Sequence, residues 1–201
     1  MVFLASAMTI FLARHGETEW NRVGRWQGST DIPLSEVGRA QARHLAERLR
    51  NRDVTEVFTS DLSRARETAE IVAQALGVTR IRVDPRLRER GFGCFEGLTR
   101  EECEERHTEV WARYLADRRT VPPGAEAQEQ VVARVVAALT AVAESDLTGH
   151  VLVVSHGAAI RSFVRTITGT APAPLANTAL FSVSYGAGSF SSIMLLDPGV
   201  P

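Results

Sequence analysis

Three features of the chain predict an α/β protein: a three-layer α/β/α sandwich whose central sheet is mostly parallel, with room for antiparallel strands at one edge. Short runs rich in β-branched residues alternate with longer amphipathic segments, the pattern of strands covered by helices. Two of the runs, residues 8–13 and 150–155, are apolar almost throughout, as strands covered on both faces must be. The last two runs follow each other across a short turn, as an antiparallel pair would.

Residues 2–8 (Val-Phe-Leu-Ala-Ser-Ala-Met) hold an Ala-x-Ala triplet but no basic leader, and their apolar run is too short for a signal peptide. We expect residues 1–7 to be a dispensable extension, with Met8 a candidate initiator, before a single domain over residues 8–201. The first strand ends at Arg14-His15-Gly16 and gives way to a polar, Gly-rich loop over residues 17–33. Ser35 is placed to cap a helix reaching about residue 52, with Ala42, Leu45, Ala46 and Leu49 on one side. Residues 54–59 read as a strand, and Ser60 or Asp61 as the cap of the next helix. There Ala65, Ala69, Val72 and Leu76 form an apolar stripe and Gly77 ends the helix.

Ile81 and Val83 suggest a third, short strand, and residues 87–97 a loop with three glycines. One helix is expected over residues 99–118 and another over 126–144, separated by Pro122-Pro123-Gly124. The strand over 150–155 runs into His156-Gly157 and an amphipathic helix to about residue 167. The late pair, residues 180–185 and 191–196, closes the domain.

Composition narrows the chemistry. A chain of 201 residues with 44% hydrophobic and 23% charged content is one ordinary globular domain, and its net charge of −1 offers no global field for nucleic acid or an anionic membrane. No run approaches transmembrane length, so the expected partner is a small molecule; oligomeric state leaves no signal. All 23 basic residues are arginine, which excludes a Schiff-base lysine and a Walker A lysine. Cys94 and Cys103 have no companion ligand pattern, so no zinc site or disulfide framework is expected and a reducing cytoplasm is the simplest home.

In a parallel sheet, ligands bind beyond the carboxyl ends of the strands. Arg14-His15-Gly16 and Ser155-His156-Gly157 both lie at such ends, so neighbouring parallel strands would bring both imidazoles into one crevice, with glycines that let backbone amides approach a ligand. A lone strand-end histidine is more often structural; two, with an arginine attached, shift the balance. Arg64, in the first turn of its helix, adds a two-pronged anion donor at a helix N-terminus.

With these residues in view, the chain resembles the histidine phosphatase superfamily, in its phosphoglycerate-mutase-like branch of small phosphatases. The resemblance rests on Arg14-His15-Gly16-Glu17-Thr18, the segment 60–69 with Arg64, the segment 87–97 with Glu89, and Val153-Val154-Ser155-His156-Gly157, in that order along nearly the whole chain. It implies His15 as a nucleophile that becomes phosphohistidine. Arg14, Arg64 and His156 would hold the phosphoryl group, and Glu89 would give a proton to the leaving oxygen and later take one from water. It also implies that Asn21, Gln27, Gly28 and Gly157 line the phosphate pocket, and that neither metal nor cofactor is needed.

The physics of the reaction agrees: a neutral imidazole approaches a dianionic ester without repulsion, and fixed positive groups, with His156 expected protonated, stabilise the equatorial oxygens. Glu89 must carry a proton to act as an acid, which enclosure would favour; Glu17 and Glu96 are rival acids. Mutases of the family resemble this chain in the core but are longer, so hydrolysis is expected to beat transfer here. Pro122-Pro-Gly-Ala-Glu126-Ala resembles the Pro-Pro-Gly-Gly-Glu-Ser element of the small phosphatases but departs at Ala125 and Ala127. The alternatives are a cofactor-dependent phosphoglycerate mutase, a metal phosphoesterase, whose clustered ligands are not seen, or a non-catalytic phosphate-recognition module, which would need no acid. Arg88 or Arg90 could border the site and favour a second acidic group on the substrate. His44, His107 and His150 are expected to take no part.

Overall fold

The structure, a computed structural model, describes residues 8–200, so the expectation for residues 1–7 lies outside the described residues. Six strands form one sheet: β1 (Met8–Arg14), β2 (Val54–Thr59), β3 (Ile81–Val83), β4 (His150–Ser155), β5 (Leu180–Gly186) and β6 (Ser189–Asp197), in the order β3-β2-β4-β1-β5-β6. The pairs β3–β2, β2–β4 and β4–β1 are parallel, whereas β1–β5 and β5–β6 are antiparallel. The late pair thus extends the parallel sheet along one edge, as the sequence predicted.

Alternation within β1 builds the layers. Ile10 and Leu12 join Val151, Val153, Phe181 and Val183 against α6 (Gln128–Ala143) and α7 (Gly157–Thr168). Phe11 and Ala13 join Val57, Leu152 and Val154 on the other face, against α2 (Glu36–Leu49) and α3 (Ser63–Leu76). These strand residues are buried, and each fully buried Val or Leu stabilises the fold by about 1.5–3 kcal/mol. A third cluster, Phe92, Phe95, Cys103, Trp111 and Tyr114, lies under α4 (Arg100–Arg106) and α5 (Thr108–Ala116).

Four local expectations are corrected. The loop after β1 contains a short helix, α1 (Glu19–Arg22), held by a capping box between Thr18 and Asn21. The helix expected over 99–118 is two, broken at His107 (φ −134°, ψ 40°), whose ring packs on Phe95 while α4 and α5 wrap that side chain. Glu126 lies outside α6, because its N–H bonds the Gly91 carbonyl at 2.9 Å. Neither Ser60 nor Asp61 caps α3: the N-cap position is Leu62, and the Ser63 N–H donates to Asp31 Oδ1 at 2.7 Å. Gly77 does end α3, at φ +72°, where a side chain would be strained.

Candidate active site

Strands β1 and β4 pair in register up to Arg14 and Ser155, so the residue after each strand emerges at the same place. His15 N–H bonds Ser155 O at 3.0 Å, and the rings of His15 and His156 stand 5.1 Å apart between centroids. The convergence expected of the two His-Gly strand ends is therefore met. The glycines serve differently from expectation. Gly16 N–H donates to Thr68 Oγ1 at 3.1 Å, and a Cβ there would lie 2.4 Å from Gly38 O, so this glycine lets β1 approach α2. Neither Gly157 nor His156 is among the residues that line the cavity opening beside His15, and a Cβ at Gly157 would meet Arg14 Nε at an ordinary 3.6 Å.

A cavity of about 460 Å³ opens at these strand ends, lined among others by Arg14, His15, Asn21, Gln27, Gly28, Arg64 and Glu89. His15 Nδ1 lies 2.6 Å from Gly16 O; since a carbonyl only accepts, Nδ1 carries the proton and Nε2 keeps its lone pair. Burial, and then the charges of Arg64 and Arg14, hold His15 well below the usual imidazole range, so the ring is neutral. His156 is fully buried and neither of its ring nitrogens has a partner. Burial, then Arg64, His15 and Arg14, lower it as well, so without a bound anion His156 is neutral; the protonated form expected during phosphoryl transfer belongs to the occupied site.

Arg64 is fully buried in the first turn of α3 and donates to Gly28 O and Thr30 O, each at 2.8 Å, while its Nε has no partner. Burial brings its guanidinium down to about 10, still a cation at neutral pH. Arg14 donates to Leu175 O and likewise keeps a buried, unpartnered Nε. Two guanidinium groups thus face one cavity with donors in hand.

Of the three candidate acids, Glu89 is the one lining the cavity. Its carboxylate sits at the N-terminus of α7, accepting from Ala158 and Ala159 N–H at 3.0 Å each and from Arg90 N–H at 2.9 Å. Glu89 is half-buried, and these three N–H donors fix its carboxyl at the end of α7. Glu17 accepts from Ser35 Oγ beside α2. Glu96 ties down the loop after Gln27: burial alone would raise it, but bonds from Thr30, Ser29 and Phe92 outweigh burial and hold it below the usual range. Gly28, at φ +55°, needs to be glycine because a Cβ would collide with that Glu96 carboxylate at 2.0 Å.

Three comparisons with known proteins bear on this site. The family model of the histidine phosphatase superfamily (branch 1) matches residues 10–196. A relative from Salmonella choleraesuis, named as a probable phosphoglycerate mutase GpmB, is 41% identical over 171 residues, covering 81% of this chain and 75% of the relative. The chain belongs to the histidine phosphatase superfamily. Among solved members of this fold, Bacillus stearothermophilus YhfR superposes with a TM-score of 0.85 at 30% identity, covering 97% of this chain and 98% of its own. A mycobacterial glucosyl-3-phosphoglycerate phosphatase in complex with VO3 gives a TM-score of 0.80 at 29% identity, covering 94% and 98%.

Several contributors to this candidate site went unread in the sequence. Asn177 Nδ2 donates to His15 O at 3.2 Å and to Asn21 Oδ1 at 3.3 Å. Thr68 Oγ1 donates to Arg64 O at 2.7 Å and so links the arginine's helix to Gly16. Trp20, Arg25, Trp26, Phe92 and Pro174 complete the walls. Asn21 faces the cavity while its Oδ1 is spent on Thr18 N–H; the buried Gln27 keeps an unpartnered Oε1. Arg88 is paired with Asp61 away from this cavity. Arg90 lines an adjoining cavity of about 550 Å³ together with Arg118, Arg119, Arg161 and Arg165; no Asp or Glu lines it, and Trp26, Phe92 and Pro174 are walls of both cavities. Among the described residues, no helix is long and apolar enough to cross a membrane, and no three His, Cys, Asp or Glu side chains converge as a metal site would need.

Proposed function

We propose that the protein is a phosphatase that hydrolyses small phosphomonoesters through a phosphohistidine on His15. The observation that carries this reading is the convergence, at one cavity, of a neutral buried imidazole with a free Nε2, two guanidinium groups and a carboxylate. In the first step the Nε2 lone pair attacks phosphorus and the bond to the leaving oxygen breaks, with Glu89 supplying the proton that oxygen needs. Arg14 and Arg64 hold the equatorial oxygens, and the dianion favours a proton on His156, whose two unpartnered nitrogens are a buried cost of order 1–3 kcal/mol until an oxygen reaches them. In the second step water attacks phosphorus, Glu89 takes its proton, and the P–N bond breaks to return the lone pair to Nε2.

Of the arginines around the adjoining cavity, Arg119 is spent on Asp117, and the other four, Arg90, Arg118, Arg161 and Arg165, support a leaving group that bears a second anionic group. Arg90→Ala should then lower kcat/KM for doubly anionic substrates more than for singly anionic ones. A phosphoglycerate mutase is the second reading, favoured by the printed name of the 41% identical relative. A panel of phosphomonoesters separates the readings: release of inorganic phosphate supports hydrolysis, and interconversion of phosphoglycerates without it supports transfer. His15→Ala should lose at least about 10⁴-fold in turnover and all acid-labile, base-stable labelling. Turnover near wild type in that variant would overturn the mechanism, and absence of turnover on every ester would favour a recognition module.

A further inference from the structure

Glu89 stands in an irregular segment between a 3₁₀ turn (Pro85–Leu87) and Gly91, where no strand or helix ladder satisfies the backbone carbonyls. Two side chains do it instead. Arg134 of α6 donates through Nη1 to Arg86 O at 2.8 Å and Arg88 O at 2.6 Å, and through Nη2 to Glu89 O at 3.0 Å. Ser155 Oγ donates to Leu87 O at 2.8 Å. Four consecutive carbonyls are thereby held.

The remaining Arg134 donors go to one carboxylate. Its Nε and Nη2 reach Glu126 Oε1 and Oε2, both at 2.7 Å, so all five N–H groups of the guanidinium are engaged. Glu126 in turn brackets the far side of the segment: its N–H bonds Gly91 O at 2.9 Å, and its own carbonyl accepts from Arg90 Nε at 2.9 Å. Pulling Glu126 out of α6 is what makes this possible. The conformation of residues 86–91 is thus fixed from α6, while the Glu89 carboxylate is fixed from α7.

We propose that Arg134, oriented by Glu126, is a positioning residue for Glu89, setting where its carboxyl meets the leaving oxygen. This rests on the reading of Glu89 as the general acid. A planar fork is required, since one ammonium cannot serve three carbonyls and a carboxylate at once. Misplacing a reacting group by about 1 Å costs on the order of 100-fold. That loss should fall on esters whose leaving group must be protonated, and spare those that leave as a stable anion.

The test measures kcat and KM for Arg134→Gln, Arg134→Lys and Glu126→Gln on two substrates, an alkyl phosphate and p-nitrophenyl phosphate, with Glu89→Gln in parallel. Vanadate affinity reports whether the phosphate pocket is intact. We expect both Arg134 variants to lose on the order of 100-fold in kcat on the alkyl ester and roughly tenfold less than that on the aryl ester, with vanadate affinity kept. Glu126→Gln should show the same selectivity more mildly, and it carries the test should Arg134→Gln fail to fold. If Glu89→Gln shows leaving-group selectivity while the Arg134 and Glu126 variants lose equally on both esters, the clamp is overturned and the acid stands. If Glu89→Gln itself shows no selectivity, the acid assignment falls and the clamp with it. Full activity of Arg134→Lys would also overturn the need for a fork.

Discussion

His15 and Glu89 face the same cavity but are held by opposite means. His15 follows directly on β1, with its N–H bonded to Ser155 of the neighbouring parallel strand, so the centre of the sheet sets its position. Glu89 belongs to no regular element, and its position is set by side chains and helix ends from α6, α7 and β4. In the proposed mechanism these are a nucleophile half, which inherits the rigidity of a buried sheet, and an acid half, which depends on a few polar contacts, each separately removable. The two halves should therefore fail differently. Damage to the first should remove phosphoryl chemistry on every substrate, and damage to the second should discriminate between leaving groups.

Arg64 offers the largest test of that contrast, because it belongs to the nucleophile half. Arg64→Ala removes a buried donor from the phosphate and releases Gly28 O and Thr30 O, so kcat/KM should fall by about 10²–10³ on alkyl and aryl esters alike. Arg64→Lys should restore little, since an ammonium cannot bridge both carbonyls and still reach an oxyanion. A loss confined to alkyl esters would erase the distinction between the halves.

The histidine pair makes the sheet-held half sensitive to pH. Burial holds both His15 and His156 neutral, with folded-state values well below the unfolded value of 6.5. As pH falls below about 6.5, the unfolded chain binds protons that the folded chain refuses, so stability declines by up to about 1.4 kcal/mol per pH unit for each histidine. The loss continues until pH reaches the folded values. Urea midpoints measured between pH 7.5 and 5 should show this slope in the wild type, roughly half of it in His156→Asn, and a flatter profile with saturating vanadate, which favours imidazolium. A slope unchanged in His156→Asn would mean that this imidazole is not held neutral.

The same contrast explains what could be read in the chain. Strands β2, β3 and β4 fall on their predicted residues, because short β-rich runs between breaking loops have few other ways to be buried. His15, His156 and Arg64 follow, since each is fixed relative to an element by its place at a strand end or in a first helical turn. What escaped acts across long separations: Arg134 on Glu89, 45 residues apart, and Asn177 on His15, 162 apart. No periodicity marks such residues, because their partners are backbone atoms whose placement only the finished fold decides. The complete burial of His156 escaped for a related reason: its neighbours in the chain are visible in sequence, but the depth at which the fold places them is not.

The smallest effect concerns the cap of α3, which belongs to the nucleophile half but is made by a side chain 32 residues away. Asp31 Oδ1 accepts from both the N–H and the hydroxyl of Ser63, at 2.7 Å each, one residue before Arg64. Asp31 is exposed, so Asp31→Ala should cost only about 1 kcal/mol, and Asp31→Asn a few tenths, because asparagine keeps the acceptor and loses the charge facing the helix N-terminus. Activity should change little in either variant. Ala65 and Ala69 remain packed in the core, and Thr68 still joins Arg64 O to Gly16, so the arginine keeps its place when the cap is gone. A loss of activity approaching that of Arg64→Ala would mean that a loop contact, and not the packed face of α3, sets the guanidinium, and the nucleophile half would then be as dependent on single polar contacts as the acid half is.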